Sequence, residues 1–156
     1  MSEVSTSRVI DVPPDRLWAM VSDVTRMGEW SPETVKAVWD SRTEGPEIGA
    51  TFTGTNRHGP KTWKTKAQVI EAEPARKFGF LVKVGGMPVA EWMYIFEPVP
   101  GGCRVTESWS DRRNPVLKAV SRFVTGVHDR EPHNRAGMEE TLLRLSQVAR
   151  LGDATG

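Results

Sequence analysis

Cysteine occurs once in the 156 residues, at Cys103. No internal disulfide is therefore available, and no Cys/His set has the spacing that a zinc site needs. Tyrosine also occurs once, at Tyr94. An excess of either charge is missing too: 21 Lys and Arg against 20 Asp and Glu leave a formal charge of +1, too little to create a global field for nucleic acid or an anionic membrane. No apolar run approaches the ~18 residues of a membrane span, and the amino terminus lacks a basic stretch followed by an apolar one. The sequence also lacks GxSxG, HExxH and dinucleotide-binding patterns. Gly54 to Gly59 superficially resembles a phosphate loop, but Pro60 precedes Lys61 and the segment reads as strand–turn–strand. These absences predict a single domain over residues 1–150, located in the cytoplasm, with a disordered tail at 151–156. No metal, cofactor, nucleic-acid partner or integral membrane segment is expected, and the protein is expected to be a monomer or homodimer.

The chain is well supplied with large apolar rings, six tryptophans and five phenylalanines, which suit a packed core or a lined cavity. Val4 to Val12 reads as a strand. Pro13-Pro14-Asp15 then opens a helix carrying Leu17, Trp18, Val21 and Val24 at helical spacing. A second short helix is expected from Thr25, as N-cap, towards Trp30, ended by Ser31-Pro32. From 35 to 112 the helical period disappears, and turn residues divide the chain into strands at about 35–41, 50–57, 61–72, 76–84, 88–98 and 103–111. Short connections predict an antiparallel meander. Alternation turns Trp63, Thr65, Ala67 and Val69 inward on one strand and Phe78, Phe80, Val82 and Val84 inward on the next. The following strand is ambiguous; its uncharged face of Trp92, Tyr94 and Phe96 is assigned to the interior. Pro115 to Thr125 reads as a helix, interrupted at Gly126 and Pro132. A long helix from about Glu131 to Arg150 follows, with Asn134, Met138, Thr141, Leu145 and Val148 on one stripe.

This order of elements is similar to the helix-grip (Bet v 1-like) fold of the START-like, or SRPBCC, superfamily, in its polyketide cyclase/dehydrase-like branch. The carriers are Val12-Pro13-Pro14-Asp15-Arg16-Leu17-Trp18, the insert from Ser22-Asp23 to Trp30-Ser31-Pro32, Gly49-Ala50-Thr51-Phe52, Val105-Thr106-Glu107, and His133 to Met138 running into Thr141-Leu142. The resemblance implies an α+β fold in which a curved antiparallel sheet of about seven strands wraps a long C-terminal helix, with two short helices after the first strand. It further implies a cavity between sheet and helix for a lipophilic small molecule.

Polar residues on inward positions are the oddity that bears on chemistry. Phe52 and Asn56 share one strand face, and Glu107 shares another with Val105, Trp109 and Asp111. A buried carboxylate must be paired or shifted in pKa, and Arg8, Arg104, Arg112 and Arg113 are candidate partners. Asn134 either caps the long helix, meets Glu107, or joins Tyr94 in contacting a ligand carbonyl. The expected ligand-binding set is Phe52, Asn56, Trp63, Phe80, Trp92, Tyr94, Glu107, Trp109, Asn134 and Met138. Glu107, Tyr94 and His58 are candidate acid/base groups, and His133 has the standing of His58. Cys103 reads as a structural thiol. Three functions remain open at this level: binding of a lipid- or polyketide-like molecule, a polyketide cyclase/dehydratase-type activity, and a noncatalytic regulatory or toxin-like role.

Overall fold

The computed structural model describes residues 3–40 and 45–155. The expected strand end at 41, Glu44 of the turn before Gly45, and residues 1, 2 and 156 lie outside the described residues. The chain forms β1 (Glu3–Ile10), α1 (Pro14–Ser22), a 3-10 helix (Val24–Glu29), β2 (Thr34–Trp39), β3 (Thr51–His58), β4 (Lys61–Glu73), β5 (Lys77–Val84), β6 (Met87–Val99) and β7 (Gly102–Asp111), then α2 (Pro115–Thr125) and α3 (Arg130–Thr155). The seven strands make one antiparallel sheet in the order β1-β7-β6-β5-β4-β3-β2. Strands joined by tight turns are thus neighbours, and β1 closes on β7. This is the helix-grip fold.

Register converts strand alternation into a concave apolar face. Val69, Phe80, Trp92, Trp109 and Val4 are successive cross-strand partners over five strands. Phe78, Tyr94 and Glu107 form the rung beside it. The uncharged face assigned to β6 is the interior one, with Tyr94 and Phe96 buried. Register shifts at Thr34/Lys36, Val69/Glu71 and Val82/Lys83 interrupt the ladder; an extra residue of this kind bends the strand that carries it and increases local twist. The bent sheet curls around α3, which buries Asn134, Met138, Thr141, Leu142, Leu145, Ser146 and Ala149. Ser146 is an addition to the expected stripe, and Val148 lies at its half-buried flank.

Local chemistry explains where the elements depart from expectation. β1 ends at Ile10, although Val12 beyond it is fully buried. The 3-10 helix is capped by Asp23, not Thr25, because the Asp23 carboxylate accepts the Thr25 amide hydrogen at 3.2 Å. Pro132 lies within the first turn of α3 instead of interrupting it, since the missing N–H falls where a helix needs no internal donor. At its other end α3 continues past Arg150 to Thr155. Gly126 ends α2 in the left-handed conformation, φ 73°.

Gly102, at the start of β7, lies where β1 approaches most closely. A Cβ there would collide with the Ile10 carbonyl oxygen and stand 2.8 Å from the Asp11 Cα, all of it backbone. Gly102→Ala is expected to cost about 1–3 kcal/mol, the range for overpacking, measured by urea denaturation.

Candidate functional site

A cavity of about 250 Å³ opens between the concave face of the sheet and α3, with α2 along one side. Its wall includes Phe52, Asn56 and Trp63 from β3 and β4, Phe80 and Val82 from β5, Trp92 and Tyr94 from β6, and Glu107 and Trp109 from β7. Asn134, Met138 and Thr141 come from α3. All ten residues expected to contact a ligand therefore meet at one place, although they come from six elements. Leu117, Val120 and Val124 of α2 complete the wall. Val84, Val120 and Val124 belong to the wall yet are 46%, 52% and 41% exposed, which puts an apolar mouth between α2 and the β5–β6 hairpin.

Most polar groups on the wall are already satisfied. Asn56 Oδ1 accepts from the Thr34 hydroxyl at 2.7 Å, and its amide donates to Thr65 Oγ1 at 3.1 Å. The Thr141 hydroxyl donates to the Gly137 carbonyl at 2.8 Å. Asn134 lies one turn inside α3 and neither caps it nor bonds to Glu107; its Oδ1 accepts from the Arg130 guanidinium at 3.4 Å.

Glu107 is the exception. Antiparallel register sets it directly opposite Tyr94, and the Tyr94 hydroxyl donates to Oε2 at 2.8 Å. Oε1 is buried without a hydrogen-bond partner. The arginines expected to neutralise it are engaged or face elsewhere. Arg113 forms a bidentate pair with Asp111 at 2.9 Å to each oxygen, Arg112 pairs with Glu91, and Arg8 and Arg104 lie exposed. Burial therefore dominates and pushes the Glu107 carboxyl up to about 8, against the smaller opposing effect of the Tyr94 hydrogen bond. Near pH 7 Glu107 is mostly the neutral acid. Burial, with Glu107 beside it, raises the Tyr94 phenol well above its usual value of 10.0.

A second polar group, at Glu33, was not foreseen from the sequence. Its carboxylate accepts from Arg130 Nη1 at 2.9 Å and lies 3.0 Å from His133 Nε2. Burial acts to raise the Glu33 pKa, but the His133 hydrogen bond and the Arg130 charge together hold it below the usual carboxylate value. The Arg130 guanidinium also lies 5.8 Å from the Trp63 ring centre. His58 is not part of the cavity wall: its Nδ1 is 3.2 Å from the Thr125 carbonyl oxygen and its ring is 5.0 Å from that of His133, so it braces the end of α2. Cys103 is fully buried, and burial raises its thiol pKa, as suits an inert structural residue. Among the described residues no group of three or more His, Cys, Asp or Glu is placed to hold a metal ion, and no helix is long and apolar enough to cross a membrane.

The sequence of residues 1–149 matches the family described as polyketide cyclase / dehydrase and lipid transport. Among solved structures, the polyketide cyclase-like protein Cgl2372 from Corynebacterium glutamicum is 35% identical, with a TM-score of 0.64, over 96% of this chain and 92% of its own. The di-domain ARO/CYC StfQ from the steffimycin biosynthetic pathway has a TM-score of 0.73 at 12% identity, over 97% of this chain and 51% of StfQ. Protein NE0264 from Nitrosomonas europaea has a TM-score of 0.68 at 16% identity, over 97% of this chain and 96% of its own. At such low identity the last two likenesses concern the fold alone. No curated protein matches the chain. The family match over nearly the whole length, together with the 35% identical relative, establishes that this chain belongs to the polyketide cyclase/dehydrase and lipid transport family.

Proposed function

We propose that this protein binds a compact lipophilic small molecule, aromatic in part, in the cavity between the sheet and α3. The carrying observation is the open space itself. Domain interiors normally close-pack, whereas here Phe52, Trp63, Phe80, Trp92 and Trp109 surround about 250 Å³ that no side chain fills. An apolar wall with few polar groups is the usual composition of a small-molecule site. The volume lies below the ~300–1,000 Å³ of drug-sized pockets, which favours a two- or three-ring molecule or a medium-length acyl chain over a diacyl lipid.

The test uses the tryptophans on the wall. Intrinsic fluorescence is titrated with medium-chain fatty acids, a sterol and polycyclic aromatics, with Trp92→Phe identifying the reporting ring. Saturable, stoichiometric quenching by the compact ligands is expected, and the response shrinks in Trp92→Phe. No response from folded protein to any of them would overturn the binding reading in favour of a noncatalytic interaction protein.

A second reading, acid/base chemistry on a polyketide-like substrate, is favoured by one observation: Glu107 is buried at the cavity with Oε1 unpartnered, and such burial favours the proton-bearing form of the carboxyl. Turnover of an aromatic polyketone that disappears in Glu107→Gln would support it, and turnover unchanged in that variant would remove Glu107 from the mechanism.

A further inference from the structure

The hydrogen-bond pattern around Glu107 carries more than the existence of a cavity. The Tyr94 hydroxyl is committed to Oε2, so the phenol proton occupies the line between the two residues. With Tyr94 donating to Oε2, a neutral carboxyl carries its own proton on Oε1, the oxygen that has no hydrogen-bond partner. An O–H buried without an acceptor is costly to maintain, and Oε1 has no hydrogen-bond partner in the protein. Neighbouring polar groups do not relieve it. Thr6, its register partner on β1, is neutral, and the wall residues Asn134, Met138 and Thr141 that α3 contributes are neutral as well. The titratable and charged wall groups on this side are bound elsewhere: Arg113 to Asp111, and Arg130 and His133 to Glu33.

We propose that Glu107, held by Tyr94, selects the ligand by donating a hydrogen bond from Oε1 to a carbonyl oxygen, such as that of an aromatic ketone or quinone. This inference rests on the cavity-binding reading above and adds the polar feature that the ligand must present. It also reassigns the phenol of Tyr94: instead of meeting the ligand, it positions the carboxyl that does. The arrangement is poorly suited to ligands whose polar group only donates, because the free oxygen already holds a proton.

Three probes of nearly equal shape separate the possibilities: 9-fluorenone, with a carbonyl; fluorene, with a methylene in its place; and 9-fluorenol, with a hydroxyl. Affinities are measured by calorimetry or tryptophan quenching for wild type, Glu107→Gln and Glu107→Ala. The ketone is expected to bind about tenfold more tightly than the hydrocarbon in wild type, the yield of one net hydrogen bond. Glu107→Gln keeps the preference, because its amide oxygen accepts from Tyr94 while its NH₂ donates to the ketone. Glu107→Ala abolishes it. In wild type the ketone preference declines above pH 8 as the acid proton is lost, and in Glu107→Gln it does not. Equal affinity for ketone and hydrocarbon would overturn the proposal while leaving the cavity reading intact. A preference for fluorenol that grows above pH 8 and is lost in Glu107→Gln would also overturn it, since it would show a carboxylate accepting from the ligand. Failure of all three probes to bind folded protein would count against the cavity reading itself.

Discussion

Relative to Glu107→Gln, the wild-type protein is expected to lose about 1.4 kcal/mol of unfolding free energy per pH unit between roughly pH 5 and pH 8. The sign follows from where the proton sits. In the unfolded chain Glu107 ionises near its ordinary value of 4.5, whereas in the folded protein it holds its proton to about 8. Between those values the native state binds more protons, so rising pH favours unfolding. The contribution is complete below pH 4.5 and is lost as pH rises through 8. The whole difference is on the order of 5 kcal/mol, a large fraction of the stability of an ordinary domain. Urea denaturation of both proteins at half-unit pH steps measures it. Glutamine retains the Tyr94 bond and cannot ionise, so every other titrating group cancels in the difference. A difference that stays flat across this range would show that Glu107 is ionised in the native state.

Removing Glu33 has the second large effect. Glu33→Ala is expected to cost about 1–3 kcal/mol at pH 7, below what breaking a fully buried ion pair costs, because the Glu33 side chain is 23% exposed. Arg130, whose side chain is only 12% exposed, would retain the Asn134 oxygen and the Trp63 ring but no counter-ion. Glu33 joins the segment before β2 to the start of α3, so its loss also loosens one side of the cavity. Its pH dependence runs opposite to that of Glu107. The Glu33 pKa is held low, so its contribution is present above the ordinary value of 4.5 and lost as pH falls through the lowered one. A double-mutant cycle with Arg130→Met checks the assignment: the double variant is expected to lose much less than the sum of the singles. Additive losses would reduce the pair to a solvated contact.

The fold was legible in the sequence because two simple periods carried it. Alternation on β4 and β5 assigned Ala67, Val69, Phe78 and Phe80 to the interior, where all four are buried. The stripe from Asn134 to Leu145 likewise faces the sheet. Strand parity brought Glu107 and Tyr94 inward as well, but parity says nothing about register. Only the β6–β7 register sets these two side chains opposite each other, and that explains why tyrosine, and not one of the four arginines considered, became the partner. Glu33 gave no signal at all. It follows Ser31-Pro32 at the start of a strand and meets Arg130 and His133 about a hundred residues later in the chain, through a closure that no local period encodes. The helix ends were misjudged for a related reason. Asp23 and Thr25 are both good caps by composition, and side-chain geometry decided between them.

The construction of α2 bears on how fast a ligand bound as proposed would leave the cavity. Of the eleven residues in this helix only Thr125 is buried, while Val116 and Phe123 are 71% and 80% exposed. It is held by the Asn114 cap, by Arg113 bonding Ser121, and by His58 beside the Thr125 carbonyl. An element with so little buried surface separates from its neighbours at a small fraction of the free energy that unfolds the sheet. On the binding reading proposed above, residence time in the cavity is governed by α2, and substitutions that strengthen the sheet would raise the melting temperature without lengthening it.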